Sequence, residues 1–414
     1  MKSNINVLKQ HLKIAIFSGE IPSTTFIEHV IEGVSVSHRV HLYGVLTRPY
    51  KHVSKNIKVY STPKSHISNL LITSIRVSRL LLTCPSAMFK LMHEVRRFAT
   101  LYDKWIWFSK FLPIVLYRPD VFHVQWSRDL EYYWFLKEKF NVKFIVSLLG
   151  SHINYTPIVQ PYIADIYRSI FPRVDAFHAV SNAISKEAHF YGAPLDKITL
   201  IHSPIKPSAF KAYQTLKSKR TSTIKLLSVG RHHWVKGYKY ALSAMRLLKD
   251  SNVKFHYTII AQGSVPEDLM FQRRQMDLES EVTFLNGIEQ QQLFKEMQNY
   301  DALILCSLSE GIANVVLEAM AIGVPVISTN CGGMAEVVIP NETGWLVPIR
   351  NPQSIADAVK DVVQTPEKEV QRIKQKAHEL VKVQFNAQDS IYRFLELYDK
   401  VATMSMVNFT DTQE

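Results

Sequence analysis

Short runs rich in β-branched residues alternate along this chain with longer segments whose apolar positions recur every three to four residues. That alternation predicts strands of a parallel sheet covered by helices. In the first half, strands are predicted at Lys13 to Phe17, Arg39 to Leu46, Ile57 to Tyr60, Val121 to Gln125, Lys143 to Leu148, Ala176 to Val180 and Ile198 to His202. In the second half they are predicted at Ile224 to Val229, Phe255 to Ala261, Val282 to Leu285, Ala302 to Cys306, Pro325 to Ser328 and Trp345 to Val347. Between the sets, "KPSAFKAYQTLKSKRTST" is polar, basic and without apolar period, as a linker would be. The expected fold class is α/β: two tandem Rossmann-like, doubly wound domains facing a cleft. Their expected bounds are 1–205 and 223–385, with a linker over 206–222 and a closing amphipathic helix, 386–404, that packs back toward the first domain. In such sheets ligands sit at the carboxyl ends of the strands.

One further periodic segment stands out. Wound as a single helix, Ala87 to Phe108 places Met88, Leu91, Met92, Val95, Phe98, Ala99, Tyr102, Trp105 and Ile106 on one face, with Lys90, His93, Arg97 and Lys104 opposite. Such a segment either lies on an anionic leaflet or docks on the first sheet with a solvated basic back.

Composition narrows the class. A chain of 414 residues with 47% hydrophobic and 21% charged residues is long enough for two folded cores. Apolar runs such as "FLPIVLY" stop short of the roughly 18 to 20 residues a membrane span needs. The apolar stretch Ile14 to Phe17 is too short for a signal peptide, so a cytoplasmic protein is expected, with peripheral attachment to the inner membrane face as an option. Cys84, Cys306 and Cys331 have no paired spacing, so neither a disulfide framework nor zinc is expected. A formal net charge of +13 suits anionic lipid, nucleic acid or phosphorylated metabolites. No nucleic-acid signature accompanies it, and nucleic acid is not an expected partner.

Two stretches carry candidate chemistry. In "SEGIANVVLEAMAIGVPVIST", a strand and a turn lead into a helix predicted from Asn314 to Ala321, stopped by Gly323 and Pro325. A helix start at a strand's carboxyl end offers free N–H groups and a positive dipole end to an anion. Glu310 precedes that helix and Glu318 lies about one turn inside it; taken alone, they read as a helix-start acid and a solvated residue. In "LLSVGRHHWVKGYKYALSAMRLL", Gly230, Arg231, Lys236 and Gly237 form a basic turn between a strand and a helix. An arginine fork and a lysine point charge at one such turn suit a diphosphate; taken alone, the turn reads equally as solvated charge. There is no P-loop pattern and no Gly-x-Gly-x-x-Gly after a strand.

These stretches together resemble the nucleotide-sugar half of the retaining glycosyltransferases of family 4, which have the GT-B fold. "FSGEIPSTTFIEHVI" is similar to the first loop and helix of bacterial polysaccharide-building members. "LIHSPIKPSAF" is similar to their domain-linking stretch, with Ser203 and Pro204 in place of Asn-Gly, and "FNAQDSIYRFLELYDKV" to their closing helix. The resemblance implies that Arg231 and Lys236 hold a donor diphosphate, with Gly230 beside them. It implies that Glu310 binds donor-sugar hydroxyls with the backbone of Gly311, Ile312 and Ala313. Asn314 and Val315 would begin the helix under the phosphates, and Glu318 would hold the ribose. It further implies a nucleotide-diphosphate sugar as donor, a saccharide or lipid-linked saccharide as acceptor, O-antigen, capsule or exopolysaccharide synthesis as setting, and no metal or other cofactor.

Where many relatives carry a histidine, "FIVSLLGSHINYTP" has Leu149, and His152 takes the place of an aspartate. His152 is then an acceptor base, a sugar contact or a structural histidine. Gly19 opens an expected ligand loop after the first strand, and His123 is expected to be packed inside a strand. The other readings are a different GT-B nucleotide-sugar enzyme, or a non-catalytic membrane-associated binding protein, which Leu149 keeps open.

Overall fold

A computed structural model of the chain describes residues 11–50, 52–213 and 222–407. The first sheet contains β1 (Lys13–Phe17), β2 (Gly19–Ile21), β3 (Arg39–Leu46), β4 (Ile57–Ser61), β5 (Val121–Val124), β6 (Lys143–Leu148), β7 (Ala176–Ala179) and β8 (Ile198–Leu200). It runs β2-β3-β1-β5-β6-β7-β8, with β4 also paired to β3, and every pair is parallel. The second sheet is β11-β10-β9-β12-β13-β14, from β9 (Ile224–Arg231), β10 (Phe255–Gln262), β11 (Val282–Asn286), β12 (Ala302–Leu305), β13 (Val326–Thr329) and β14 (Trp345–Val347). Every predicted strand is present with ends within two residues, because buried β-branched runs between polar turns leave little choice of register. The exception is Gly19 to Ser23, read as a turn: its first three residues form β2, with Gly19 opposite Gly44.

Each sheet reverses its winding once. The reversal falls between β1 and β5 in the first sheet and between β9 and β12 in the second. Crevices open at the strand carboxyl ends at those two places.

The closing helix, Ala387–Val407, belongs to the first sheet's core. Phe394, Leu397, Tyr398 and Val401 are fully buried among Ile14, Ile16, Val121 and Ile145. His123 is likewise fully buried, with ring nitrogens 2.7 Å from the Tyr398 hydroxyl and 2.8 Å from that of Ser147, as its in-strand position suggested. The stretch after β8 is not featureless: Pro207–Lys211 is a short helix whose Ala209 is buried in the second half's core, while 214–221 lie outside the described residues.

Four helices of the first half matter below: α1 (Thr25–Val34), α2 (His66–Thr83), α3 (Pro85–Val95) and α4 (Leu101–Leu116). The single amphipathic helix expected from Ala87 to Phe108 is therefore two. Thr100 breaks it by capping α4, its hydroxyl accepting the Asp103 N–H at 2.9 Å. Met88, Leu91 and Val95 face the core as expected, but Met92 and Tyr102 are exposed.

Candidate functional site

The second crevice is built by two turns that tie to each other. After β9, Trp234–Lys236 forms a 3-10 turn capped by the His233 ring and closed by Gly237. Gly237 has φ +64°, and a Cβ there would lie 2.1 Å from the Cys306 carbonyl oxygen, so only glycine fits. After β12, Ser307–Ala313 leads into the helix Asn314–Ile322. The Leu308 N–H donates to the Val235 carbonyl at 2.7 Å, and the Cys306 thiol to the Lys236 carbonyl at 3.1 Å.

This tie brings Lys236 and Glu310 into contact. Lys236 Nζ donates to Glu310 Oε1 at 2.7 Å, and the Ser307 hydroxyl to the same oxygen at 2.7 Å. The sheet thus joins residues 74 positions apart into a half-buried ion pair at the mouth of the crevice. Arg231, the last residue of β9, is exposed, and no ion pair of Arg231 is found among the described residues. The helix Asn314–Ile322 starts with Ala313 as N-cap, which supplies no side-chain oxygen to its first N–H groups. Through Glu310, Lys236 is tied to the turn that leads into this uncapped helix start, an arrangement suited to a diphosphate. Gly311 is buried, Ile312 packs on the core, and Val315 is half-buried. Gly230 leaves room for the Tyr238 hydroxyl, which a Cβ would meet at 2.7 Å.

Glu318 stands apart from that group. It lines a cavity of about 110 Å³ with Asn314, Gln290, Lys206 and, from the first half, Phe26 and His29. Gln290 Nε2 donates to Glu318 Oε1 at 2.5 Å. Burial pushes its carboxyl up to about 7, against the opposing influence of Gln290 and Lys206.

The first half closes over the crevice. Asn154 Nδ2 donates to the Ser309 hydroxyl at 2.9 Å and to the Glu310 carbonyl at 3.1 Å. A Cβ on Gly150, at φ +120°, would stand 3.4 Å from the Gly311 nitrogen. Glu336 reaches back the other way, accepting from the backbone N–H of Asn182 and Ala183 and from the Asn182 amide, each at 3.0 Å. Leu149 is half-buried against the first core, so this segment reaches the second crevice through its backbone and Asn154.

His152 packs 5.5 Å from the Trp126 ring, and its carbonyl accepts from Tyr167. Burial, reinforced by Arg128, lowers its ring to about 4, so it is neutral near neutral pH. Further along the turn that leaves Trp126, the first sheet's crevice begins. There a cavity of about 150 Å³ is lined by Gly19, Thr62, Lys110 and Asp129 with Tyr43 and Trp107, room for one six-membered ring. Burial pushes the Asp129 carboxyl up to about 6, and Arg128 and Lys110 pull against it. Asn154, Glu336, Gln290 and Asp129 escaped the sequence reading, and Lys110 was read only as one of the basic residues near the amphipathic segment. Only the strand-to-turn position of Asp129, after β5, matched a pattern already applied to Gly19.

Comparison with known proteins bears on the fold and the family. Residues 213–379 match the family model for glycosyl transferases group 1. The amylovoran biosynthesis glycosyltransferase AmsK of Erwinia amylovora is 27% identical over 259 residues, 61% of this chain and 63% of its own length. The chain spans about six-tenths of the length of the curated relatives it first matches. Among solved structures, sucrose-phosphate synthase of Thermosynechococcus elongatus superposes with TM-score 0.70 at 17% identity, over 94% of this chain and 99% of that one. Anabaena Alr3699/HepE, solved with UDP and glucose, superposes with TM-score 0.65 at 14% identity, over 94% and 100%. Residues 213–379 are thus similar to glycosyl transferases group 1, in a chain whose two-sheet architecture is the GT-B fold.

Proposed function

We propose that this chain transfers a sugar from a nucleotide-diphosphate sugar to a saccharide or lipid-linked saccharide, with retention of anomeric configuration, in the building of a cell-surface polysaccharide. The observation that carries the reading is the meeting of Lys236, Glu310 and the uncapped helix start at Asn314 where the second sheet reverses.

In this reading Arg231, Lys236 and the helix start hold the diphosphate, and Glu318 accepts from the ribose diol. The Lys236–Glu310 pair is the resting state of the site. An arriving diphosphate competes for Lys236, and Glu310 then turns its oxygens to the sugar hydroxyls, beside the backbone of Gly311, Ile312 and Ala313. The bond from the anomeric carbon to the phosphate oxygen breaks as the acceptor oxygen bonds to the same face of that carbon. The acceptor proton passes to the departing phosphate oxygen. Charge developing on that phosphate is met by two cations and a helix dipole already in place. A ring that titrates near 4 is a poor base at neutral pH, so His152 shapes the wall between the two crevices. The acceptor ring lies in the first-sheet cavity beside Gly19, with Asp129 accepting from one of its hydroxyls.

Similarity to AmsK favours a polysaccharide product. Work on the cytoplasmic side of a membrane, where nucleotide sugars are made, goes with that reading. The test is incubation with UDP-, GDP- and ADP-sugars, reading nucleoside diphosphate release by mass spectrometry and the product anomer by proton NMR. Release from one donor with the α or β form kept supports the reading, and no release from any of them contradicts it.

A further inference from the structure

The first turns of helix α2 are inside out, while farther along Leu80 is buried and Val77 packs on the core. Its inward positions include Asn69 and Thr73, 2% and 1% exposed. They are satisfied there: the Asn69 amide donates to the Ser109 hydroxyl of α4 at 3.1 Å, and Thr73 donates to Asn69 at 3.2 Å. Its outward face carries Ile67, Leu71, Ile75 and Leu82, exposed by 74%, 62%, 70% and 86%. Their spacing of four, four and seven residues sets them in one stripe along the helix. A soluble helix normally has this pattern reversed, and an exposed apolar stripe marks a surface that meets something.

The charge around the stripe says what. From Gly33 to His93 the sequence holds nine Lys or Arg and not one Asp or Glu. Lys64, just before α2, and Arg79, one turn after Ile75 on the helix and stacked over Tyr117, are both exposed. A cationic rim around an apolar strip fits an anionic lipid surface: the headgroups meet the rim and the acyl boundary takes the strip. Among the described residues no helix is long and apolar enough to cross a membrane, so contact through this face is lateral.

We propose that the outward face of α2 docks the chain on an anionic lipid bilayer. The face is placed to serve the acceptor side. α2 packs on α4, and α4 supplies Trp107 and Lys110 to the first-sheet cavity. A saccharide carried on a lipid then reaches that cavity from the surface on which the protein sits. Only this last step rests on the proposed transferase reading.

The test uses the whole chain and vesicles of phosphatidylcholine, with or without phosphatidylglycerol, in a flotation assay. The protein floats with the anionic vesicles, less so with neutral ones, and less again as salt is raised. L71E/I75E/L82E weakens partitioning at least about tenfold, since three apolar contacts are lost, and leaves the melting temperature unchanged because the positions are exposed. V383E, at an exposed apolar residue of the second half, floats like the parent chain. Equal flotation of the triple variant and the parent overturns the proposal, as does failure of the parent to float. A parent that is a dimer in size-exclusion chromatography, made monomeric by the triple substitution without any lipid binding, also overturns it and assigns the stripe to a second copy. Nucleotide binding by the triple variant is a separate readout, so failure of the transferase reading and of this one are distinguishable.

Discussion

Replacing Glu318 by glutamine should stabilise the protein while disabling it. The Glu318 carboxyl is held at about 7 where an ordinary one sits at 4.5, so the folded chain binds this proton more tightly than the unfolded chain does. Below about pH 4.5 both states are protonated and glutamine is a neutral copy of what is there. As pH rises toward 7 the unfolded state gains its charge first and stability falls, with the loss complete above about pH 7. A displacement of that size corresponds to at most about 3 kcal/mol. The amide of E318Q would carry no such penalty and would keep an oxygen to accept from Gln290. For a unit the size of the second half, 1 kcal/mol moves the melting temperature by about 2–4 °C. E318Q should therefore melt close to the parent at about pH 5 and some 5–10 °C above it at about pH 8. Nucleotide affinity should drop by about tenfold to a hundredfold, as expected when a charged acceptor of ribose hydroxyls is lost. Thermal melts across that pH range, with and without nucleoside diphosphates, read both. Parallel melting curves for the two proteins at every pH would refute the reasoning.

Three other substitutions test separate parts of the site. K236A should cost about a hundredfold or more in donor turnover while moving the melting temperature little, because Ser307 still donates to Glu310; turnover assays and thermal melts check it. E336A removes three hydrogen bonds that cross from the second half to Asn182 and Ala183, so the closed arrangement should lose about 1–3 kcal/mol against an open one. A larger radius of gyration in X-ray scattering without nucleotide is the expected sign. Asp129 is held at about 6, so transfer should rise with pH through that value as its carboxylate forms, and D129N should be slow and lack that limb in a pH profile.

The second half of the site was legible because its chemistry is local. Strand, turn and helix start follow one another within Asp301 to Ile322, and the basic turn lies within Gly230 to Gly237. What the sequence could not give there was the pairing of Lys236 with Glu310, since it depends on β9 and β12 being neighbours. The first half was harder because Gly19, Thr62, Lys110 and Asp129 come from four distant segments and share no spacing. The broken helix did leave a trace, for Thr100-x-x-Asp103 is a capping signal inside the apolar period. α2 left none: an apolar stripe is read as inward by default, and only the buried Asn69–Ser109 contact reverses it.

The central claim is that the crevice between β9 and β12 holds a nucleoside diphosphate against Lys236. Isothermal titration of UDP, GDP and ADP into the parent chain and into K236A tests it most directly. The expected result is saturable binding of one of the three by the parent and about tenfold or more weaker binding by the variant. Equal affinity in the two proteins, or no binding of any of the three to the parent, would contradict it.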